Sequence, residues 1–120
     1  MFAEIITASA GYKYTNGTGS DILAGSPVVN SKLFGFAAAT IAAGAQGWIE
    51  TTGVWRATCG NTTAANVGDI AYWDATNSVI TATASTNLPV GYFVKAVTSG
   101  QTTCEILLGA NLQAAAAVGG

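Results

Sequence analysis

The chain has 120 residues, enough for one domain with a single core. Only 8% of residues are charged, against about 25% in an average soluble domain, and much of the 50% apolar fraction is alanine, which leaves a near-neutral surface with little net charge to keep copies apart. The four basic residues, Lys13, Lys32, Arg56 and Lys95, stand singly, which excludes a phosphate-neutralising patch for nucleic acid, and the absence of histidine removes the usual general base and the commonest metal ligand.

The N-terminal "MFAEIITASA" has an acid where a secretory signal carries lysine or arginine, and its apolar run is short, so no export signal is read there. Phe2, Ile5 and Ile6 suit either a first strand of the domain or an arm that docks on another chain. Residues 11–20, "GYKYTNGTGS", have the composition of a loop, and the sequons at Asn16 and Asn61 are read as chance matches. "LAGSPVV" and "LFGFAAATI" are strand candidates. Residues 33–49 lack charge, but interior glycines, a glutamine and weak Ala/Thr hydropathy argue against the ~20 strongly apolar residues of a membrane span; buried strands and a turn are expected instead. "TIAAGAQGWIE" supplies that glycine-bounded turn before Trp48 and Ile49.

In "VWRATC" the two-residue period places Val54, Arg56 and Thr58 on one face and Trp55, Ala57 and Cys59 on the other. In "TTCEILL" it groups Cys104, Ile106 and Leu108 opposite Thr103, Glu105 and Leu107. "GYFVKAVTSGQTTCEIL" reads as two strands joined around Ser99-Gly100, with Pro89 at the start of the first. "LQAAAAVGG" closes the chain with too few helix formers to hold a helix alone. No internal repeat is evident. The expected fold is all-β, a small single-domain β-barrel or β-sandwich of short strands, with residues 1–20 as an arm or glycine-rich loop, 21–112 as the β domain and 113–120 as a tail.

Few groups are placed for chemistry. Asp69 and Asp74 bracket "IAYW"; five apart in a strand, they point to opposite faces with Cα atoms roughly 17 Å apart, beyond the separations of about 5 to 9.5 Å that paired carboxylates use. Turn chemistry explains both: Asp74 begins "DATN", where it accepts from backbone N–H groups two or three residues on and Asn77 takes the left-handed conformation, while Asp69 follows Gly68 into a strand. Cys59 and Cys104 belong to no C-x-x-C pair; a disulfide and two reduced core thiols both fit, and the reduced form is favoured. No lysine follows a glycine as a phosphate loop requires. Trp48, Trp55 and Trp73 are read as core or subunit-interface aromatics, with a sugar-stacking platform as the alternative. No catalytic residue, cofactor or metal is assigned.

The order of segments "DILAGSPVV", "LFGFAAATIAAGAQGWIETTGVW", "NVGDIAYWDATNSVITATAS" and "PVGYFVKAVTSGQTTCEILL" resembles the tailed-phage family of domain of unknown function 2190, associated with capsid cement or head-decoration proteins. The similarity spans about residues 21–108; its most specific element is V-G-D-x-x-Y-W-D followed by a V-x-T strand and a G-x-x-x-x-A-x-x-S-G hairpin, and it departs at Asn77, where glycine is expected. The resemblance implies a β-rich homotrimer, made in the host cytoplasm, that sits on the outer surface of the head. There it would bind the major capsid protein with no enzymatic activity; on the arm reading of the N-terminus, Phe2, Ile5 and Ile6 are the expected capsid contacts, and composition leaves neither nucleic acid nor a membrane as an expected partner. A virion-displayed carbohydrate- or receptor-binding module is the competing expectation, and an unassociated small-ligand barrel a third.

Overall fold

The computed structural model describes residues 11–109, and among them every regular element is a strand. In chain order these are β1 (Gly11–Thr15), β2 (Pro27–Asn30), β3 (Leu33–Ala37), β4 (Gln46–Glu50), β5 (Gly53–Thr58), β6 (Ile70–Asp74), β7 (Val79–Thr81), β8 (Leu88–Phe93) and β9 (Thr103–Leu108). The all-β expectation holds, as two antiparallel sheets, neither of them a closed barrel. The chain divides after Thr51 into two compact units, each holding one sheet.

In the first unit the sheet order is β1-β4-β3-β2. Cross-strand partners share a face, so the registers Val28–Gly35, Ala37–Ile49 and Ile49–Tyr12 gather one apolar side. Val28, Ala37, Ile41 and Ile49 are buried there, with Tyr12, Tyr14 and Ile22 packed against them. The opposite face carries Phe34 and Phe36, two residues apart on β3, with ring centroids 5.4 Å apart and planes at 82°. Residues 11–15 of the stretch read as a loop form β1: alternation of Tyr12 and Tyr14 with Lys13 and Thr15 outweighs the glycines around them.

The loop proper starts at Asn16, which is fully buried. Its amide nitrogen donates to Ser20 O at 2.7 Å and Ile41 O at 2.9 Å. Its carbonyl accepts from Thr18 N at 3.0 Å and Thr18 Oγ1 at 2.7 Å. The Asn-Gly-Thr match therefore has a structural cause: Asn16 satisfies a tight polar turn that would otherwise bury orphan backbone groups.

In the second unit the order is β5-β9-β8-β6-β7. The β5–β9 ladder pairs Trp55 with Ile106 and Ala57 with Cys104, and on the other face Arg56 with Glu105 and Thr58 with Thr103, as the two-residue period predicts. Cys104, Ile106 and Leu108 are buried, and Phe93, Ile80, Val90 and Ala71 complete the core. The β6–β8 register shifts between Ala71 and Tyr72, where Tyr72 faces Pro89, and the β8–β9 ladder begins only at Gly91–Leu108. Pro89 is therefore tolerated, because it sits at an irregularity and outside the β9 rungs. The sheet curls far enough for Ile80 of β7 to form one isolated parallel bridge with Cys59, just past β5.

The two units share one plan. β1, β2, β3 and β4 correspond to β5, β6, β8 and β9, in the same sheet order, and β7 is an addition beside β6. The turns correspond as well. Ile22 bridges Ile41 and Ala65 bridges Val97, both antiparallel, and each of these four residues opens a turn with glycine at its fourth position: Gly25, Gly44, Gly68 and Gly100, with φ of 82°, 79°, 92° and 102°. Gly25 N donates to Ala37 O and Ala37 N to Ser26 O (2.8 and 2.9 Å); Gly68 N donates to Phe93 O and Phe93 N to Asp69 O (both 2.8 Å). One close backbone approach recurs as well: a Cβ on Gly35 would run into Glu50 O, and one on Gly91 into Leu107 O. The sequence conceals this repeat because few side chains coincide, chiefly these glycines together with Thr15 and Thr58 and with Ile49 and Ile106.

Gly91→Ala should therefore cost about 3 kcal/mol of stability, at the upper end of overpacking penalties because the obstruction is backbone. Gly17→Ala, where a Cβ meets nothing within 4 Å, should change stability by less than about 1 kcal/mol. Urea unfolding of the two variants checks the contrast.

Candidate functional site

The acids and thiols that the sequence singles out are each engaged locally. Asp74 Oδ1 accepts from Thr76 N at 3.0 Å and Asn77 N at 3.2 Å, and its Oδ2 accepts from Asn77 Nδ2 at 2.8 Å. These bonds, the Asn77 side chain foremost, hold the Asp74 carboxyl below the usual carboxylate range. The left-handed residue that finishes the turn is Ser78, φ 56°, not Asn77 as the sequence suggests; Asn77 is instead recruited by the carboxylate. Asp69 Oδ2 accepts from Asn66 N at 2.8 Å, three residues back, closing the turn that enters β6. The two acids serve separate turns.

Cys59 and Cys104 are free, buried thiols. Cys59 Sγ donates to Gln101 O at 3.5 Å and Cys104 Sγ to Ala57 O at 3.6 Å. Burial, reinforced by neighbouring Cys59, pushes the Cys104 thiol up to about 12, which disfavours a thiolate nucleophile at neutral pH. Among the described residues no three His, Cys, Asp or Glu side chains are grouped to hold a metal, and no helix is long and apolar enough to cross a membrane. The cleft beside β9 is lined by Arg56, Lys95, Gln101 and Glu105, and its Arg56–Glu105 pair at 3.8 Å offsets charge against charge.

What the surface does offer is exposed apolar side chain. In the first unit Leu23 is 65% exposed and Leu33 52%, with Val29 and the Trp48 indole also reaching solvent. In the second unit Val67 is 67% exposed and Val54 60%. Lys13 Nζ stands 6.0 Å from the centre of the Trp48 ring, occupying one face on which a sugar would stack. Trp55 is half-buried, with its Nε1 donating to Thr52 O at 2.8 Å, and Trp73 is half-buried on β6 opposite Ile80 and Leu88. The three tryptophans thus lie on separate strands, β4, β5 and β6, and the large side chains fully buried in the two cores are Ile49, Ile80, Phe93 and Ile106 instead. Phe2, Ile5 and Ile6 lie outside the described residues.

Two β units with Asp69 and Asp74 in turns, both thiols buried and single apolar groups at the surface form a scaffold for protein contact. A family model described as phage cement protein matches residues 6–108. The chain belongs to the phage cement protein family. No curated protein and no solved structure matches it. The match spans all nine described strands and both bridged turn pairs. Membership brings with it decoration and stabilisation of the phage capsid, and a place on the virion capsid.

Sequence reasoning missed the exposed apolar positions and Asn16. Leu23 and Val67 sit within glycine turns, where an apolar residue has no periodic partner and reads as noise. The signal for Asn16 was its Asn-Gly-Thr sequence, which is also the local hydrogen-bonding pattern of an Asx turn.

Asp74 provides a pH test. Its carboxyl is lowered in the folded chain, so its turn contacts are intact above the unfolded-chain value and are lost as pH falls through the folded one. The amide resonances of Thr76 and Asn77 should titrate with a midpoint below about 3.9, the ordinary aspartate value. A midpoint at or above that value would show that the turn does not hold the carboxylate.

Proposed function

We propose that this chain is a capsid decoration protein that binds the outer surface of the expanded head as a homotrimer and stabilises it by bridging neighbouring major-capsid subunits. The observation that supports this reading most directly is the family match over residues 6–108, laid on a fold whose described residues offer apolar and neutral surface in place of a reaction centre. Expansion of the shell and the pressure of packaged DNA tend to separate capsid subunits. A protein seated across a junction resists separation by the area it would have to re-expose.

The energetics favour many modest contacts. A specific interface of standard size buries roughly 1,600 Å² in total, and association costs several kcal/mol before any surplus appears, so single patches of scattered valine and leucine give only moderate affinity. Three copies on one cap make the second and third contacts intramolecular, at effective concentrations on the order of millimolar for closely linked sites. With a net charge of -2 and basic residues that stand singly, recognition rests on shape and apolar contact rather than on long-range steering. This mechanism needs no catalytic group, and the reading assigns none.

Purified protein mixed with expanded heads and with procapsids should co-sediment with expanded heads. Occupancy should change less than about threefold between 50 mM and 500 mM salt, because charge contributes little. Equal failure to bind either particle would remove the proposal, and a steep salt dependence would replace its apolar mechanism with an electrostatic one.

A further inference from the structure

Asn16 is followed by Gly17, and every other asparagine in the sequence is followed by a residue that carries a Cβ. Asn-Gly is the pairing in which a side-chain amide is most open to attack by the next backbone nitrogen, because no Cβ crowds that nitrogen. Neither packing nor conformation calls for glycine here: Gly17 is exposed, a Cβ on it would meet nothing within 4 Å, and it is not among the positive-φ glycines. The fold meanwhile clamps the amide. Its nitrogen is held by Ser20 O and Ile41 O and its oxygen by Thr18 N and Thr18 Oγ1, with the residue fully buried. Ile41 O also accepts from Ile22 N at 2.9 Å, so the amide and the Ile22–Ile41 bridge share one carbonyl. The Asn16 backbone is tied to the facing turn as well, its N–H donating to Ala45 O and its carbonyl accepting from Gly44 N, both at 2.8 Å.

We propose that Asn16 is a latent deamidation site, inert while the first unit is closed and converted irreversibly once its turn opens. In the open turn Gly17 N attacks Asn16 Cγ: the N–Cγ bond forms, the Cγ–Nδ2 bond breaks, and Nδ2 leaves as ammonia with the proton from Gly17 N. Water then opens the resulting succinimide at one carbonyl or the other, giving aspartate or isoaspartate. In the closed turn the attack is blocked, because a tetrahedral Cγ takes both ends of the amide out of the plane in which its four hydrogen bonds hold it, and burial keeps from Cγ the water that would carry the proton. Refolding does not undo the change. A carboxylate has no N–H for Ser20 O or Ile41 O and sets an anion against two carbonyl oxygens in a buried place; isoaspartate also lengthens the main chain by one carbon. The second unit lacks the device: Thr15 and Thr58 correspond, so Cys59 stands where Asn16 does, with its thiol on Gln101 O. Nothing in this depends on shell binding.

The full chain is incubated at mildly alkaline pH, folded or in guanidinium, and each asparagine is followed by peptide mass, conversion adding about 1 Da. The unfolded chain should convert at Asn16 ahead of every other asparagine, and the folded chain at least about tenfold more slowly, since it reacts only through its open fraction. Gly17→Ala, which the packing tolerates, should slow the unfolded chain several-fold. Equal rates in the two states, faster conversion in the folded chain, or preference for another asparagine would overturn the proposal. In Asn16→Asp the amides of Ile22 and Ile41 should lose protection from hydrogen exchange while those of Ala65 and Val97 keep theirs; a variant with both bridges as protected as in the unaltered chain would overturn the irreversibility.

Discussion

The rest of the structure depends on a pair of backbone bridges, one in each unit, that tie glycine turns together two by two. Ile22 and Ile41 exchange hydrogen bonds of 2.9 and 2.8 Å, and Ala65 and Val97 exchange bonds of 3.0 and 2.9 Å. Each turn feeds directly into a strand, so one bridge fixes where two strands begin relative to each other. Register in a short-stranded sheet is otherwise weakly specified, since a slip of one residue turns every side chain to the opposite face. With strands of only three to six residues, few side chains per strand are available to enforce register. Backbone does the enforcing, and glycine is required where the turn needs positive φ or where one strand's carbonyl passes over another's Cα.

This division of labour explains the composition. Polar backbone is satisfied inside the turns, with Asn16, Asp69 and Asp74 supplying side-chain acceptors, so few charged residues are needed to specify the fold. The surface is then free to be neutral. A neutral surface with single apolar groups suits a protein whose work is to lie against others of fixed geometry, as members of a cement family do on a capsid. The shifts at Asp74 and Cys104 both move away from neutrality, the carboxyl lowered by its turn and the thiol raised by burial.

Alternation made much of the fold legible. The faces of "VWRATC" and "TTCEILL" followed from the two-residue period because both strands are buried on one side, and the turn before Trp48 followed from its glycine. The aspartates were readable as turn acceptors, since the Asx geometry is local. Other features were hidden for physical reasons. β1 lies in a glycine-rich stretch whose strand character comes from pairing with β4 over five rungs, a non-local cause. Ser78 takes the left-handed position because Asp74 engages Asn77, a competition between neighbours that propensity cannot rank. The repeat escaped notice because the shared plan resides in hydrogen bonds and close approaches, which need a glycine at a few positions and tolerate nearly anything elsewhere. Of the candidate surface, the tryptophans were visible as large groups, but their separation onto three strands was not.

The account stands on the claim that the bridged turns are the fixed points of both units. Native-state hydrogen exchange at the amides of Ile22, Ile41, Ala65 and Val97 addresses it directly. The account predicts that these four exchange as slowly as the central β5–β9 amides and that both pairs respond alike to mild denaturant; exchange at the rate of open turns, in either unit, would contradict it.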